Sequence, residues 1–295
     1  MKQNVKTEEI IEPTPEQLKI DVELLKEWLA KEPHLPNVTD DDWLKMFLYH
    51  NKFSIEKTKS KLDKYFSLRN KHSHILKNRD PLSPANLEDK CRAFQAFVGS
   101  ELTKDRGRIL MLQFDPDSSV FDVTRLLKRM TMCLDMLILE KDKVNSFIFI
   151  TDCKNLHYKH FLKGIVEIAA AAEIFNDAYT ERVEQIHVIN APPYIDAILE
   201  KIMIFFPKKY AERLFVHTPS KNNILESVDE NALPRCYGGK GPSADECEKW
   251  TLEKLAKYRE WFLEQENIST NEALRRKTKD QIEEMKGSFR KLEVD

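Results

Sequence analysis

The chain has 295 residues, of which 41% are hydrophobic and 33% charged, and its 47 basic and 49 acidic side chains give a formal net charge of −2. This composition is sufficient for a sizeable apolar core, and the charge balance excludes the overall basic excess expected of a nucleic-acid-binding protein. Five cysteines without a CxxC pair indicate reduced thiols, and no apolar run has the length of a membrane span or signal peptide, so we expect a cytoplasmic protein.

The first predicted elements are helices. Residues 1–15 are polar and are expected to form a disordered tail. Apolar residues over 18–29 repeat at the spacing of one helical face, and two more helices are predicted from capping residues at Thr39 and Ser54. We therefore expect residues 16–80 to form a small helical domain, followed by the linker "NRDPLSP".

Short apolar runs, typical of buried strands, come next along the chain. They are "RILMLQF" (108–114), "SFIFIT" (146–151), "QIHVIN" (185–190) and "RLFVH" (213–217), and helical patterns over 121–141, 157–175 and 193–206 separate them. Because the runs lack polar alternation and alternate with helices, they predict a mainly parallel sheet covered on both faces. We expect residues 90–242 to form this α/β domain, and residues 243–295 to form helices that pack on its core.

The most apolar stretch of the chain is "PPYIDAILEKIMIFFP", residues 192–207. The bracketing prolines predict a helix over 193–206, with a broad apolar stripe on one side and Ile204 on the other. The helix is too short and too charged to span a membrane. Two interpretations follow: it is a core helix, or it is a lid that meets lipid.

Basic residues follow this helix directly, at Lys208, Lys209 and Arg213. Taken alone, such a cluster is usually a solvated face. Beside a lid it gains a second interpretation, because a basic residue near anionic lipid contributes about 1 kcal/mol to membrane attraction.

No catalytic or cofactor motif stands out. The chain has no GxSxG elbow, no phosphate-binding glycine pattern and no HExxH sequence. His157 and His160 are three residues apart, but nothing nearby completes a metal site, and a solvated helix start is the simpler interpretation. We therefore predict neither an enzyme nor a bound metal ion or cofactor.

The order of these features resembles the CRAL-TRIO lipid-binding family, and within it the members that carry tocopherol and retinaldehyde. The resemblance covers roughly residues 16–265 and depends on "FLYHNKFSIEKT", "DRGRILMLQF", "IHVIN", "FFPKK" and "ALPRCYGG" in that order. It implies a helical N-terminal domain followed by an α/β/α CRAL-TRIO domain, in which a mobile gate helix closes an apolar cavity. It also implies an intracellular carrier that moves one tocopherol-, retinoid- or isoprenoid-like molecule to or from membranes.

The resemblance further implies site residues. The segment 193–206 matches the gate, Ile204 would meet the bilayer, and Lys208, Lys209 and Arg213 match positions that engage phosphoinositides. Thr131 and Thr151 would bond a ligand hydroxyl or carbonyl. The full candidate lining is Leu127, Thr131, Phe147, Phe149, Thr151, Val183, Ile186, Val188, Ile198, Leu199, Ile202, Met203 and Phe206.

One departure from the family pattern weakens the phosphoinositide expectation. Tyr49 and Asn51 stand where family members commonly have arginines, so attraction to anionic membranes would be weaker and less selective. The preferred partners are a small hydrophobic ligand and, transiently, an anionic membrane surface, with the protein a monomer. The main alternative is a phosphoinositide-responsive membrane or protein adaptor with a vestigial cavity. An enzyme acting on a lipid in the cavity has no motif in its support.

Overall fold

The computed structural model describes residues 11–83, 94–179, 182–221 and 223–276. Residues 1–10 of the predicted tail and residues 277–295 of the predicted C-terminal helices lie outside these ranges. The N-terminal unit consists of α1 (Pro15–Lys31), α2 (Asp41–His50), α3 (Ile55–Lys71) and the short α4 (Ser73–Leu76). The predicted helical character of this region is confirmed.

Local sequence explains where these helices begin. The Thr14 side chain accepts a hydrogen bond from the Gln17 backbone N–H, and Pro15 occupies the first turn of α1. α2 is capped by Asp40 and not by the predicted Thr39, because the Asp40 carboxylate accepts hydrogen bonds from two backbone N–H groups of the first turn. A carboxylate at this position also interacts favourably with the helix dipole.

A five-stranded sheet forms the centre of the molecule. Its strands are β1 (Phe94–Leu102), β2 (Gly107–Phe114), β3 (Ser146–Asp152), β4 (Val183–Ile189) and β5 (Leu214–Val216), and they lie side by side in chain order. β1 is antiparallel to β2, and all other neighbours are parallel, as predicted. β1 was not expected from the sequence, because Gly99 and several polar residues interrupt its apolar character.

Helices cover the two faces of the sheet. They are α5 (Val123–Leu139), α6 (Tyr158–Gly164), α7 (Ile168–Glu173), α8 (Ile195–Met203), α9 (Lys208–Glu212), α10 (Ala244–Lys257) and α11 (Arg259–Glu264). We call the side that carries Phe149 and Val188 the front face. On the opposite side, Ile148 and Ile150 pack with Ile224 and with Cys247 of α10. The chain therefore has the predicted α/β/α layering after an N-terminal helical unit.

Two helices differ from their predicted extents. The helix predicted over 193–206 is regular only from Ile195 to Met203, and Phe205 and Phe206 follow in tight turns before Pro207. The helix predicted over 157–175 is broken into α6, a 3₁₀ turn (Ile165–Glu167), α7 and a π turn (Ile174–Ala178). A break of this kind follows Gly164, which favours helix less than other residues do.

The "ALPRCYGG" segment forms a tight turn against the side of the sheet opposite the front face. Gly238 has a φ of 87°, and a Cβ on Gly239 would lie 2.0 Å from the Leu233 carbonyl oxygen, so neither position suits a larger residue. The Tyr237 hydroxyl donates a hydrogen bond to the Asp152 carboxylate at 2.9 Å. The segment is thereby attached to the carboxyl end of β3.

A buried polar cluster joins the N-terminal unit to α5. Arg79, which belongs to the predicted linker, is 1% exposed, and its Nη1 lies 2.6 Å from Oδ2 of the fully buried Asp135. The Tyr65 hydroxyl donates to the other oxygen of the same carboxylate at 2.9 Å. Burial together with the Asp135 charge raises the pKa of Tyr65 well above its ordinary value, so the phenol remains a hydrogen-bond donor.

Candidate functional site

A cavity of about 360 Å³ lies between the front face of the sheet and helices α5 to α8. Its lining is almost wholly apolar. The predicted residues that the structure places in this lining are Leu127, Phe149, Thr151, Val183, Ile186, Val188, Ile198, Leu199, Ile202, Met203 and Phe206. Their contact with a ligand remains a prediction, but their convergence on one apolar space is a property of the fold.

The strand register explains which side chains reach the cavity. Phe149 and Thr151 are two residues apart on β3, so they share the front face. On β4, Val183 and Ile186 are three residues apart and would ordinarily face opposite sides. The pairing with β3 shifts by one residue between them, as in a β-bulge, and this shift brings both to the cavity.

Two predicted contacts lie outside the lining that the described residues form. Thr131 is fully buried within α5, where its hydroxyl donates to the Lys128 carbonyl at 2.9 Å, and its own carbonyl accepts from the Tyr179 hydroxyl. Phe147 is 2% exposed and belongs to the core that the N-terminal unit shares with α5. In both cases the side chain faces packed protein.

The α6–α7 wall of the cavity was missed in the sequence. Phe161, Ile168 and Phe175 line the cavity at intervals of seven residues, with Gly164 and Ala171 between them. This spacing places large and small apolar residues alternately along one side of a helix. The spacing is visible in the sequence, but the helix predicted over 157–175 was not assigned to a cavity wall.

Few polar groups reach the cavity. Within the described residues the Thr151 hydroxyl has no hydrogen-bond partner. Burial raises the pKa of the Cys153 thiol to about 12, which keeps it neutral. Glu167 lies in the wall, and its carboxylate is 3.0 Å from Nε2 of His74 in the N-terminal unit.

His160 also lines the cavity, and the expectation that it is solvated is wrong. The residue is 2% exposed, and its Nδ1 accepts a hydrogen bond from the His157 backbone N–H at 3.0 Å. The ring packs between Phe114 and Phe121, with centroid separations of 5.3 and 5.2 Å. The cavity therefore contains an imidazole, which burial keeps neutral by lowering its pKa.

The outer surface over the cavity is unusually apolar. Ile204 at the end of α8 is 74% exposed, and Phe205 beside it is also exposed. Tyr158 and Leu162 of α6 are exposed too, and the Tyr158 and Tyr194 rings meet with centroids 6.4 Å apart. We call Tyr158, Leu162, Val166, Tyr194, Ile204 and Phe205 the outer apolar surface. Exposed apolar residues grouped in this way indicate an interaction surface.

The basic residues near α8 occupy different environments. Lys208 and Lys209 are exposed on α9, whereas the Arg213 guanidinium donates a hydrogen bond to the Val183 carbonyl. Tyr49 and Asn51 are both buried: the Tyr49 hydroxyl donates to the Asn145 side chain at 3.0 Å, and the Asn51 amide donates to the Phe47 carbonyl at 2.8 Å. These two positions stabilise the fold and present no charge.

Within the described residues, no cluster of histidine, cysteine or carboxylate side chains could hold a metal ion. Of the helices in those same ranges, none combines the length and the apolar character that crossing a bilayer requires.

Comparison with known proteins agrees with this architecture. Residues 102–239 match the CRAL/TRIO domain, and residues 14–86 match the Pinta-like UBA domain. The chain is 27% identical to the mouse (Mus musculus) alpha-tocopherol transfer protein-like protein over 259 residues, 85% of this chain and 73% of the relative. It is also 27% identical to clavesin-1 of Xenopus laevis over 234 residues, 78% of this chain and 70% of the relative.

A solved structure shares the fold. The crystal structure of Sfh5 aligns with a TM-score of 0.53 at 12% sequence identity, covering 86% of this chain and 98% of that chain. The order of strands and helices, the cavity beneath α8 and the domain match agree with one another. Residues 102–239 of the chain are therefore identified as a CRAL/TRIO domain.

Proposed function

We propose that the protein carries one small lipophilic molecule in the cavity and exchanges it with membranes. The observation that carries this proposal is the unfilled apolar space of about 360 Å³, which falls within the roughly 300–1,000 Å³ range of small-molecule pockets. The similarity to an alpha-tocopherol transfer protein-like relative supports a tocopherol-, retinoid- or isoprenoid-like ligand. Transport within the cell, without a catalytic step, is part of the same proposal.

Affinity would come mainly from apolar burial. Each Å² of apolar ligand surface removed from water contributes about 25 cal/mol, and the lining offers apolar side chains from the sheet and from four helices. The Thr151 hydroxyl is suited to hydrogen-bond a ligand oxygen, because it faces the cavity without a partner. One such hydrogen bond would fix the orientation of the ligand and would add less to its affinity than apolar burial does.

Exchange would take place through α8. Its inner side supplies Ile198, Leu199 and Ile202 to the cavity, and the outer apolar surface lies on the same part of the molecule. Contact with a bilayer would bury Ile204 and Phe205, and Lys208 and Lys209 would be attracted to anionic headgroups. Arg213 would contribute less, because its guanidinium is already bonded to Val183.

Native mass spectrometry tests the carrier proposal. Purified protein is incubated with α-tocopherol, retinal and a prenyl quinone, and we expect a one-to-one complex with at least one of them. An Ile198→Trp variant should lose the complex, because the larger side chain fills the cavity, whereas Ile20→Trp on the exposed side of α1 should keep it. Absence of every complex in the unmodified protein would contradict the proposal.

A phosphoinositide-responsive adaptor is the second candidate, because Lys208 and Lys209 are exposed beside the outer apolar surface. Vesicle sedimentation with a Lys208→Ala, Lys209→Ala double variant separates the two functions. The adaptor requires a loss of vesicle binding whether or not the cavity is filled. The carrier requires that filling the cavity with Ile198→Trp abolishes lipid transfer even when vesicle binding is intact.

A further inference from the structure

The imidazole of His160 carries a hydrogen-bond donor that the protein does not use. Because its Nδ1 accepts from the His157 backbone N–H at 3.0 Å, the proton of the neutral ring must be on Nε2. That Nε2 is buried and has no hydrogen-bond partner within the described residues. Buried donors are nearly always paired, so an unpaired one indicates a partner that comes from elsewhere.

The surroundings of the ring narrow the choice of partner. Phe114 and Phe121 pack on it, and both also line the cavity. The Asp115 backbone carbonyl lies close enough to raise the pKa of the ring as a hydrogen-bond acceptor does, but its geometry falls short of a hydrogen bond to Nε2. Nε2 itself is covered, so a molecule in the cavity would supply the missing acceptor when the ring or the two phenylalanines beside it shift.

We propose that His160 recognises the polar end of the ligand through its Nε2–H, which donates a hydrogen bond to a neutral oxygen. This inference rests on the proposed carrier function and specifies the chemical class that is carried. It also places the polar end of the ligand beyond the carboxyl end of β3 (Ser146–Asp152), where Cys153 and Leu156 complete the wall.

The charge of the lining excludes fatty acids from this class. Neither lysine nor arginine is among the residues that the structure describes around the cavity, and the one carboxylate, Glu167, would repel an anion. A buried carboxylate without a cationic partner is strongly unfavourable. Within the proposed ligand class, the molecule expected is therefore uncharged and has an aldehyde, ketone, quinone, ether or hydroxyl oxygen, and a free fatty acid is not expected to bind.

Two substitutions of His160 distinguish a role in ligand recognition from a role in folding. In His160→Asn the Oδ1 atom can still accept from the His157 N–H, but the donor at the Nε2 position is lost. In His160→Gln the side-chain amide can still donate from the Nε2 position. A structural role would affect both variants through folding, whereas recognition depends on the donor alone.

The experiment measures dissociation constants for retinal, α-tocopherol and ubiquinone-1, each paired with a counterpart that lacks the head-group oxygen. We expect at least one oxygenated probe to bind the unmodified protein about tenfold more tightly than its counterpart. His160→Asn should lose that preference, and His160→Gln should keep most of it. An unchanged preference in His160→Asn would overturn the inference while leaving the carrier function intact.

Nuclear magnetic resonance of the unmodified protein, labelled with ¹⁵N-histidine, gives a readout that does not depend on variant folding. The His160 Nε2–H resonance should move on addition of the oxygenated probe and remain in place with its counterpart. A resonance that already shows a hydrogen bond without ligand, and does not move, would assign the proton to the Asp115 carbonyl and contradict the inference. Failure of all the probes to bind would instead contradict the proposed function.

Discussion

Two threonines show how position, and not residue type, decides what a side chain can do. Thr131 is on α5 and uses its hydroxyl within its own helix, whereas Thr151 is on β3 and presents a free hydroxyl to the cavity. The sequence made both equally plausible as ligand contacts. Only the orientation of α5 against the sheet distinguishes them, and that orientation depends on packing across the whole front face.

Replacing Thr151 with valine should weaken binding of an oxygenated ligand about fivefold. The change keeps the shape of the side chain and removes a hydrogen bond of about 1 kcal/mol. Isothermal titration of the unmodified and variant proteins measures the effect. Thr131→Val is the matched control, and it should alter stability without altering affinity; equal affinities in all three proteins would refute the prediction.

Gly239 should tolerate no side chain. A Cβ there would lie 2.0 Å from the Leu233 carbonyl oxygen, so Gly239→Ala must displace backbone, and we expect it to lower the free energy of unfolding by at least about 2 kcal/mol. Urea denaturation provides the measurement. Gly164→Ala serves as control, because the nearest atom to its new methyl group would be 3.9 Å away on Val123. Similar stabilities for the two variants would contradict this account.

Among the elements, regular apolar runs were predicted best. The ends of β2 and β3 differ from those of the predicted runs by one residue or two. Strands covered on both faces consist of continuous apolar residues, so their limits are easy to see in the sequence. β1 was missed because it pairs as an antiparallel edge strand with mixed polarity. The α6–α7 segment was predicted as one helix, since periodicity alone cannot show that the backbone passes through 3₁₀ and π turns.

The outer apolar surface combines two elements that the sequence treats separately. Ile204 is at the end of α8, and Val166 is between α6 and α7, yet both are 74% exposed above the same cavity. Their sequence neighbours Met203 and Glu167 both line that cavity, which only the fold shows. An isolated apolar residue on the polar side of a predicted helix, such as Ile204, can therefore indicate an interaction surface.

Ile204→Ser should slow lipid transfer to anionic vesicles about tenfold while leaving ligand affinity unchanged. An isoleucine that enters the bilayer contributes roughly 1.5 kcal/mol or more by burial, and serine does not. Stopped-flow transfer of a fluorescent retinoid or tocopherol analogue measures the rate. Leu274→Ser is the control, because Leu274 is also exposed but lies outside the outer apolar surface; if both variants slowed transfer equally, the prediction would fail.

At the scale of the whole molecule, the N-terminal unit and the sheet domain share one core. The predicted linker supplies Arg79 to Asp135, so the connection between them is a packed polar interface. Composition could not reveal this, because an arginine in a polar, proline-containing stretch is ordinarily solvated. The boundaries between the predicted domains stay predictions, but the structure argues against an independent movement of the two parts.

Asp135→Ala should lower the free energy of unfolding by roughly 3–5 kcal/mol, because it leaves the buried Arg79 charge unpaired. Asp80→Ala provides a neighbouring comparison. Asp80 pairs with Arg259 at the surface, and loss of such a pair costs at most about 1 kcal/mol. Chemical denaturation measures the free energy of unfolding of both variants. Equal decreases would show that the buried pair stabilises the protein no more than the surface pair does.

Part of the acid sensitivity should come from a histidine pair on the face of the sheet opposite the cavity. His187 and His217 are joined at 2.9 Å, and burial lowers the pKa of His187 to about 3 from its ordinary 6.5. The unfolded chain therefore binds a proton below pH 6.5 that the folded protein excludes, and stability falls as pH falls through this range. Each such histidine removes about 1.4 kcal/mol per pH unit, or about 2 kcal/mol between pH 7 and pH 5.

The variant His187→Phe should lose less stability over the same interval, whatever its stability at pH 7. Urea denaturation at the two pH values measures the difference. His157→Phe, at an exposed position, should retain the full pH dependence of the unmodified protein. An unchanged dependence in His187→Phe would exclude this residue as its source.

The three-residue strand β5 follows α8 and α9 directly and lies at the edge of the sheet, where β4 is its one partner among the strands of the described ranges. If α8 moves as proposed, the displacement would act first on β5, which has the fewest pairing partners. The inner strands keep all their neighbours during such a displacement. If the protein carries a ligand as proposed, release would leave the central strands in place, and the emptied protein could be refilled without refolding.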